Sequence, residues 1–378
     1  ILDTSLTITG LDNYNEYFYR ITAVDTAGNE SGYSNDISVI PYSSGNSHSL
    51  SFDGADDYVE VDDDASFSGL NAITVSCWFK PNDLSDPGND DASNIEGIIF
   101  KATEAADSHF NLEYALWLDQ RTSYKNVYWS VSSGASTSSA FFSINDLAQD
   151  TWHHLAGVWD GSIQKIYLDG VEKNTDDSPV ATMNDVSHSL YMGGSSGSIR
   201  LFPGTIDEVH IWSSALTQSE IQSYMNTMLD QSQATGLVGY WRFDENSGLT
   251  VHDLSGNRKH GTISGAAWST DTPDQTPPVK PTALAATAGD HQVSLAWAAN
   301  SEEDLNGYKA YRAKGTDDYS VINTTIADTL AYTDSTALND STYYYYITAI
   351  DLARNESSSS DTVSVQPVDV APVTPLNG

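Results

Sequence analysis

Trp152-His-His-Leu-Ala-Gly-Val-Trp159, the turn Asp160-Gly161, the run Lys165-Ile-Tyr-Leu168 and a second turn at Asp169-Gly170 follow in close succession. Asp-Gly between alternating apolar runs marks tight β-hairpins. Upstream, Leu50-Ser-Phe52 leads into Asp53-Gly54, followed by Tyr58-Val-Glu-Val61, an alternating stretch from Ile73 to Lys80, Tyr114-Ala-Leu-Trp-Leu118 and Val127-Tyr-Trp-Ser-Val131. Downstream, Thr217 to Leu229 reads as a helix, with Thr217 as N-cap and Glu220 completing a capping box. Many short strands with one helix predict an all-β sandwich over residues 44–272. The flanks Ser44-Gly-Asn-Ser47 and Asp271-Thr-Pro-Asp-Gln-Thr-Pro-Pro278 read as polar and Pro-rich linkers.

Outside this region the chain repeats itself. Tyr17-Phe-Tyr-Arg-Ile-Thr-Ala-Val-Asp-Thr-Ala-Gly-Asn-Glu-Ser31 returns without a gap as Tyr343-Tyr-Tyr-Tyr-Ile-Thr-Ala-Ile-Asp-Leu-Ala-Arg-Asn-Glu-Ser357. Both copies alternate with period two, placing one strand face in a core. The leucine before each first tyrosine (Leu11 and Leu338) is similar to a tyrosine corner, and both segments resemble the second half of a fibronectin type III module. The C-terminal copy resembles a whole module, with Pro277-Pro278, the strand His291-Gln-Val-Ser-Leu-Ala-Trp297 and then Leu305-Asn-Gly-Tyr-Lys-Ala-Tyr-Arg312. The N-terminal copy carries only the last strands. Two readings stay open for it: a chain cut from a longer array of modules, or a polymer in which a neighbouring chain supplies the absent strands. The expected organisation is a partial fibronectin type III module (1–43), a central domain (44–272), a fibronectin type III module (273–369) and a linker (370–378).

Further motifs of the central region match one family in order and spacing. Ser51-Phe-Asp-Gly-Ala-Asp-Asp-Tyr-Val59, Trp152-His-His-Leu-Ala156, Ile166-Tyr-Leu-Asp-Gly170 and Gly204-Thr-Ile-Asp-Glu-Val-His-Ile-Trp212 resemble the laminin-G-like domains of the concanavalin A-like lectin/glucanase superfamily. So does the tail Gly236-Leu-Val-Gly-Tyr-Trp-Arg-Phe-Asp244 with Asp253-Leu-Ser-Gly-Asn257. The resemblance implies a jelly-roll β-sandwich flanked by immunoglobulin-like fibronectin type III sandwiches.

Composition narrows the function. The chain has 378 residues, 16 Lys+Arg against 52 Asp+Glu, and a formal net charge of −36. Such a surface repels nucleic-acid backbones and anionic membranes. An aromatic share of 11% is ample for packed cores. No apolar run is long enough to span a bilayer. Cys77, alone of its kind, reads as a buried hydrophobe and allows no intramolecular disulfide.

No catalytic constellation emerges. Glucanases of the resembled superfamily carry Glu-x-Asp-x-x-Glu; here Glu60-Val-Asp62-Asp-Asp-Ala65 has alanine at the last position. His153 and His154 are adjacent on a strand, so they face opposite ways and cannot share a metal. Calcium, which takes six to eight oxygens, is the expected cofactor. Asp253 and Asn257 offer a carboxylate and an amide around Gly256; without metal the same residues form an Asx turn. The resembled sandwich would return the tail beside the first strand, adding Asp53, Asp207 and Asp244. The acidic run that serves calcium in pentraxins is replaced by Gly193-Gly-Ser-Ser-Gly-Ser198.

Sugar binding needs exposed aromatic rings. Trp117, Tyr124, Tyr128 and Trp129 are the candidates; Trp117 and Trp129 also suit a sandwich core, and Tyr124 sits in a polar loop. Of Tyr343–Tyr346, two face outward, with no function assigned. The expected protein is a non-catalytic, calcium-stabilised adhesion or binding module of a secreted or cell-surface, bacterial-type modular protein. Its partner would be a glycan or cell-surface ligand. A structural repeat of a surface fibre, or an accessory region of a polysaccharide-degrading enzyme, is the alternative.

Overall fold

The strand Pro203–Trp212 organises the larger part of the molecule. It pairs along one edge with Ile73–Pro81 and along the other with Ser49–Asp53 and Leu237–Trp241. The computed structural model describes residues 5–42, 46–85, 87–102, 112–134, 136–194, 200–229, 234–274, 276–302, 305–323, 330–351 and 355–369. Residues 44–45 of the first linker, 195–198 of the glycine-serine run and 370–378 lie outside them. The chain divides into two units, residues 1–273 and 274–378. Among the described residues no helix is long and apolar enough to cross a membrane.

In the first unit, two eight-stranded antiparallel sheets pack face to face. The back sheet runs Val171–Asp176, Gln164–Leu168, His153–Trp159, Ile73–Pro81, Pro203–Trp212, Ser49–Asp53 and Ala267–Ser269, with Leu237–Trp241 also on Pro203–Trp212. The front sheet runs Thr250–Val251, Gly261–Ser264, Tyr58–Val61, Leu190–Met192, Ile95–Ala102, Leu112–Asp119, Asn126–Ser133 and Ser136–Ser143. Both Asp-Gly hairpins expected around Leu168 form: His153–Trp159 pairs Gln164–Leu168, which pairs Val171–Asp176.

Alternation decides which face is buried. Tyr114, Leu116 and Leu118 point inward with Val127, Trp129 and Val131, and meet Ile73, Val75 and Cys77 of the back sheet. Burying a side chain of this size contributes about 1.5–3 kcal/mol. Trp129 lies across Gly157 so closely that a Cβ there would fall 2.2 Å from the indole. Cys77 is buried, and burial pushes its thiol far up, as expected for an inert core residue.

The outer face of the back sheet is covered by a second apolar cluster, including Tyr167, Trp212, Ile221 and Tyr240. Ile221 comes from the one α-helix among the described residues, Gln218–Tyr224, whose capping box of Thr217 and Glu220 is formed. The helix stops short of Leu229. The indole N–H of Trp78 donates to the Met225 carbonyl at 2.7 Å, drawing it away from the helical ladder.

Residues 5–42 belong to the first unit and carry the two-stranded ribbon Tyr17–Tyr19 with Ile37–Val39. Arg258 pairs with Glu16 and lies 5.4 Å from the Phe18 ring. The second unit has a three-stranded sheet (Ala285–Gly289, Gln292–Ala296, Ala331–Asp334) and a four-stranded one (Ser320–Val321, Leu305–Lys314, Tyr343–Asp351, Val363–Val365). Between them lie Val293, Leu295, Trp297, Tyr343, Tyr345 and Ile347.

Candidate functional site: an aromatic strip and a buried acidic cluster

The residues opposite the inward trios form a strip on the solvent face of the front sheet. Cross-strand register sets Trp117 beside Tyr128, and Tyr128 beside Phe141. Trp117 and Tyr128 stack with centroids 4.3 Å apart and planes 12° from parallel. Tyr128 and Phe141 follow at 5.3 Å. The Trp117 indole N–H donates to Ser130 Oγ at 2.9 Å, and Ser130 is bonded to Ser139. The Asn126 amide donates to Tyr128 Oη at 3.1 Å. These bonds hold the Trp117 and Tyr128 rings at their polar tips and leave their apolar bodies on the surface. Phe141 is 44% exposed. Trp117 packs against a buried outer cluster that includes Phe100, Ala115 and Tyr191, and Tyr191 Oη donates to Glu60 Oε1 at 3.0 Å.

The loop 119–126 borders this strip. Arg121 makes a two-point bond to Asp119, at 2.8 and 2.6 Å, and lies 4.0 Å from the Tyr124 ring centroid. Tyr124 is 49% exposed. Three of the four expected aromatic residues, Trp117, Tyr124 and Tyr128, therefore lie at one end of one sheet. The fourth, Trp129, is fully buried on the core side, and its indole N–H donates to the Val158 carbonyl at 3.1 Å. Phe141, Phe100 and Tyr191 escaped the sequence reading. Phe141 carried a signal: in Ala140-Phe-Phe142 alternation puts one phenylalanine on each face.

The five oxygen donors expected for calcium fall in three places. Asp253 is buried and saturated: Oδ1 accepts the backbone N–H groups of Tyr240 and Ser255, and Oδ2 that of Lys259. The Asn257 amide donates to the Val238 carbonyl at 2.8 Å. With both Asp253 oxygens committed to N–H donors, this turn does not fit a calcium ion; it fits the Asx turn. Asp53 is exposed and lies with Asp56 and Asp57. Burial, then repulsion from Asp53 and Asp56, raises the Asp57 carboxyl.

Asp207 and Asp244 belong to a buried cluster with Glu208, Arg242 and Asn46. A bulge between Asp207 and His210, with Glu208 at a left-handed φ of 47°, turns both adjacent carboxylates into the interior. Arg242 bonds Glu208 at 3.2 Å and Asp244 at 2.7 Å. Tyr240 Oη donates to Glu208 at 2.7 Å. Asp244 Oδ1 accepts the N–H groups of Ser47 and His48. Asp207 meets the Asn46 amide at 2.8 Å and the N–H of Glu208. Burial, then Glu208, pushes the Asp207 carboxyl well above the usual range. Three carboxyl groups thus sit together with one guanidinium, which bonds only Glu208 and Asp244, and Asn46 Oδ1 lacks a hydrogen-bond donor. This donor set does fit a hard cation, since turning the Asn46 amide over would present its oxygen beside Asp207.

The two adjacent histidines divide as alternation requires. His153 Nε2 accepts the Ala148 N–H at 3.0 Å and Nδ1 meets Asp169. His154 packs edge-on against Trp78, and burial holds its pKa down at about 4.

A family match agrees with this architecture. Residues 53–222 match a laminin G family model described as the concanavalin A-like lectin/glucanases superfamily. No curated protein matches the chain. Among solved structures, a Bacteroides ovatus protein provisionally named as carbohydrate binding is 18% identical, with a TM-score of 0.46 over 69% of this chain and 70% of that one. Domain 4 of a GH43 extracellular arabinanase from Geobacillus stearothermophilus, solved with arabinotriose, is 17% identical, with a TM-score of 0.33 over 56% and 87%. An Fn3-like protein from Clostridium thermocellum is 26% identical, with a TM-score of 0.21 over 25% and 99%. Residues 53–222 of this chain are thus matched by the concanavalin A-like superfamily on sequence, and its first unit has the two-sheet architecture that match implies.

Proposed function

We propose that the chain is a non-catalytic glycan-binding module that works through the strip Trp117–Tyr128–Phe141. The observation that carries this reading is an ordered row of half-exposed rings on the solvent face of a sheet whose other face is core. Sugar C–H faces pack on such rings while neighbouring hydroxyls and amides bond sugar hydroxyls. The family match over residues 53–222 supports it. A calcium ion at Asp207, Asp244 and Asn46 belongs to the same proposal. It would neutralise buried carboxylates and brace the chain entry at Ser47 against the tail. So does a secreted or cell-surface setting, in which the module serves adhesion or targets a polysaccharide-degrading enzyme.

The test is a glycan array read in calcium and in EDTA, with wild type and Trp117→Ala. Specific binding lost in the variant upholds the strip. Binding unchanged by the substitution refutes it.

A second reading, a structural unit of a surface fibre, is favoured by the N-terminal ribbon. Ile21 is 75% exposed, whereas its repeat partner Ile347 is fully buried. Concentration-dependent assembly in sedimentation velocity would support that reading; a strict monomer would remove it.

A further inference from the structure

Resting on the glycan-binding reading, we infer that the strip selects anionic sugars, uronic acids or sulfated residues, through the guanidinium of Arg200. Arg200 reaches the strip from a neighbouring loop. Its carbonyl accepts the Gly97 N–H at 2.7 Å, and Gly97 is the register partner of Trp117. Its guanidinium lies 5.2 Å from the centroid of Phe100, a member of the outer cluster against which Trp117 packs. The side chain is half-buried beside these rings.

The charge state of this arginine sets it apart from its neighbours. In a chain of net charge −36 most cations find a carboxylate. Lys80, Lys101, Arg121, Lys165, Arg242 and Lys259 all do. Among the described residues no carboxylate is within ion-pair distance of Arg200. The acidic charge that does act on it, Asp119, is committed to Arg121. Burial, and then the like charge of Arg121, lowers the Arg200 pKa. A partly desolvated cation beside a second cation is unfavourable until an anion arrives. Arg200 also holds a left-handed φ of 57°, a conformation that costs a non-glycine residue and tends to persist at ligand-binding positions.

A guanidinium is a planar fork that bonds carboxylate or sulfate oxygens in pairs. Aromatic rings beside it supply the packing surface for the sugar ring. The acidic remainder of the chain repels polyanions at long range. Recognition would therefore be local, one acidic sugar at the strip, and would strengthen as salt screens the general repulsion.

The experiment measures binding of the full chain to polygalacturonate and its carboxyl-reduced form, and to a sulfated galactan and its desulfated form. Wild type, Arg200→Gln, Arg200→Lys and Trp117→Ala are compared, each shown folded by near-UV circular dichroism. At least one acidic polymer should bind roughly tenfold or more tighter than its neutral counterpart, the scale of a charge-assisted bond. Arg200→Gln should abolish that preference while retaining neutral binding, and Arg200→Lys should keep part of it. The uronate and sulfate pairs identify which acid is read. Equal binding of acidic and neutral forms, or a preference that survives Arg200→Gln, overturns the inference. If neutral polymers bind and Trp117→Ala weakens them, the glycan-binding reading stands without it. If no polymer binds, both fall.

Discussion

The Trp117 indole lies face to face with the Tyr128 ring, 4.3 Å away, on the outside of the sheet whose inside buries Trp129. Two tryptophans on paired strands therefore have opposite duties. Trp117→Ala should lower glycan affinity at least tenfold, with a stability loss of only about 1–2 kcal/mol, because a half-exposed stacked ring contributes little to folding. Isothermal titration and urea unfolding on one preparation check both parts.

The converse holds in the core. Trp129→Ala should cost about 3–5 kcal/mol. Gly157→Ala should also destabilise strongly, since its Cβ would meet the Trp129 indole at 2.2 Å. Glycan affinity measured well below the melting temperature should be retained in Gly157→Ala if its fold survives.

The buried acidic cluster makes a cation-linked prediction. Calcium should raise the melting temperature of the wild type and EDTA should lower it. Asp207→Asn should be at least as stable as wild type in EDTA, because it removes a buried carboxyl set beside those of Glu208 and Asp244, and should lose the calcium response. Asp253→Ala should be destabilised equally in both conditions, because Asp253 serves three backbone N–H groups rather than a metal. Differential scanning calorimetry separates the two behaviours.

Stability should depend on pH in both directions. Burial raises Glu96 to about 8 and Glu113 to about 7. Their contributions are complete below the unfolded carboxyl value, about 4.3, and are lost as pH rises through these folded values. Glu96→Gln keeps a carbonyl for the Gln120 amide and has no proton to lose. At pH 9 it should exceed wild type by about 1 kcal/mol or more. Denaturant titrations at pH 6 and pH 9 test this.

Histidine supplies the acid limb. Burial lowers His154 to about 4 and His210 to about 3. Their stabilisation is present above the unfolded histidine value, about 6.5, and is lost as pH falls through the folded ones. His154→Phe should therefore flatten the loss of stability between pH 6 and pH 4, with Trp78 still packed against it. A variant as acid-sensitive as wild type would exclude His154 as a cause.

Local pattern carried much of this far. The Asp-Gly hairpins, the capping box at Thr217 and the all-β class were legible because each depends on residues close in the chain. The strip was half legible. Leu116 and Leu118 on one side of Trp117, and Val127 and Val131 on the side of Trp129, already separate the two tryptophans by face. Phe100 and Tyr191 come from strands whose partners are distant in sequence, so their place beside Trp117 appears only after pairing. Arg200 gave no sequence signal, because its significance is the lack of a nearby carboxylate.

The internal repeat divides what was local from what was not. In both copies the tyrosine hydroxyl accepts a backbone N–H five residues upstream, Asp12 to Tyr17 and Leu338 to Tyr343. Asp25 and Asp351 each accept the amide of the asparagine four residues on. The sequence by itself determined these turns, the strand periods and which residues of each strand share a face, since they follow from short-range hydrogen bonding and backbone geometry. Only the tertiary structure decided that Ile347 is buried while Ile21 is solvated, that Asp207 lies in a carboxyl cluster while Asp253 closes a turn, and that Phe100 and Tyr191 join the strip of Trp117, Tyr128 and Phe141. Burial and electrostatic environment depend on which distant strands arrive, and identical local sequence does not specify them.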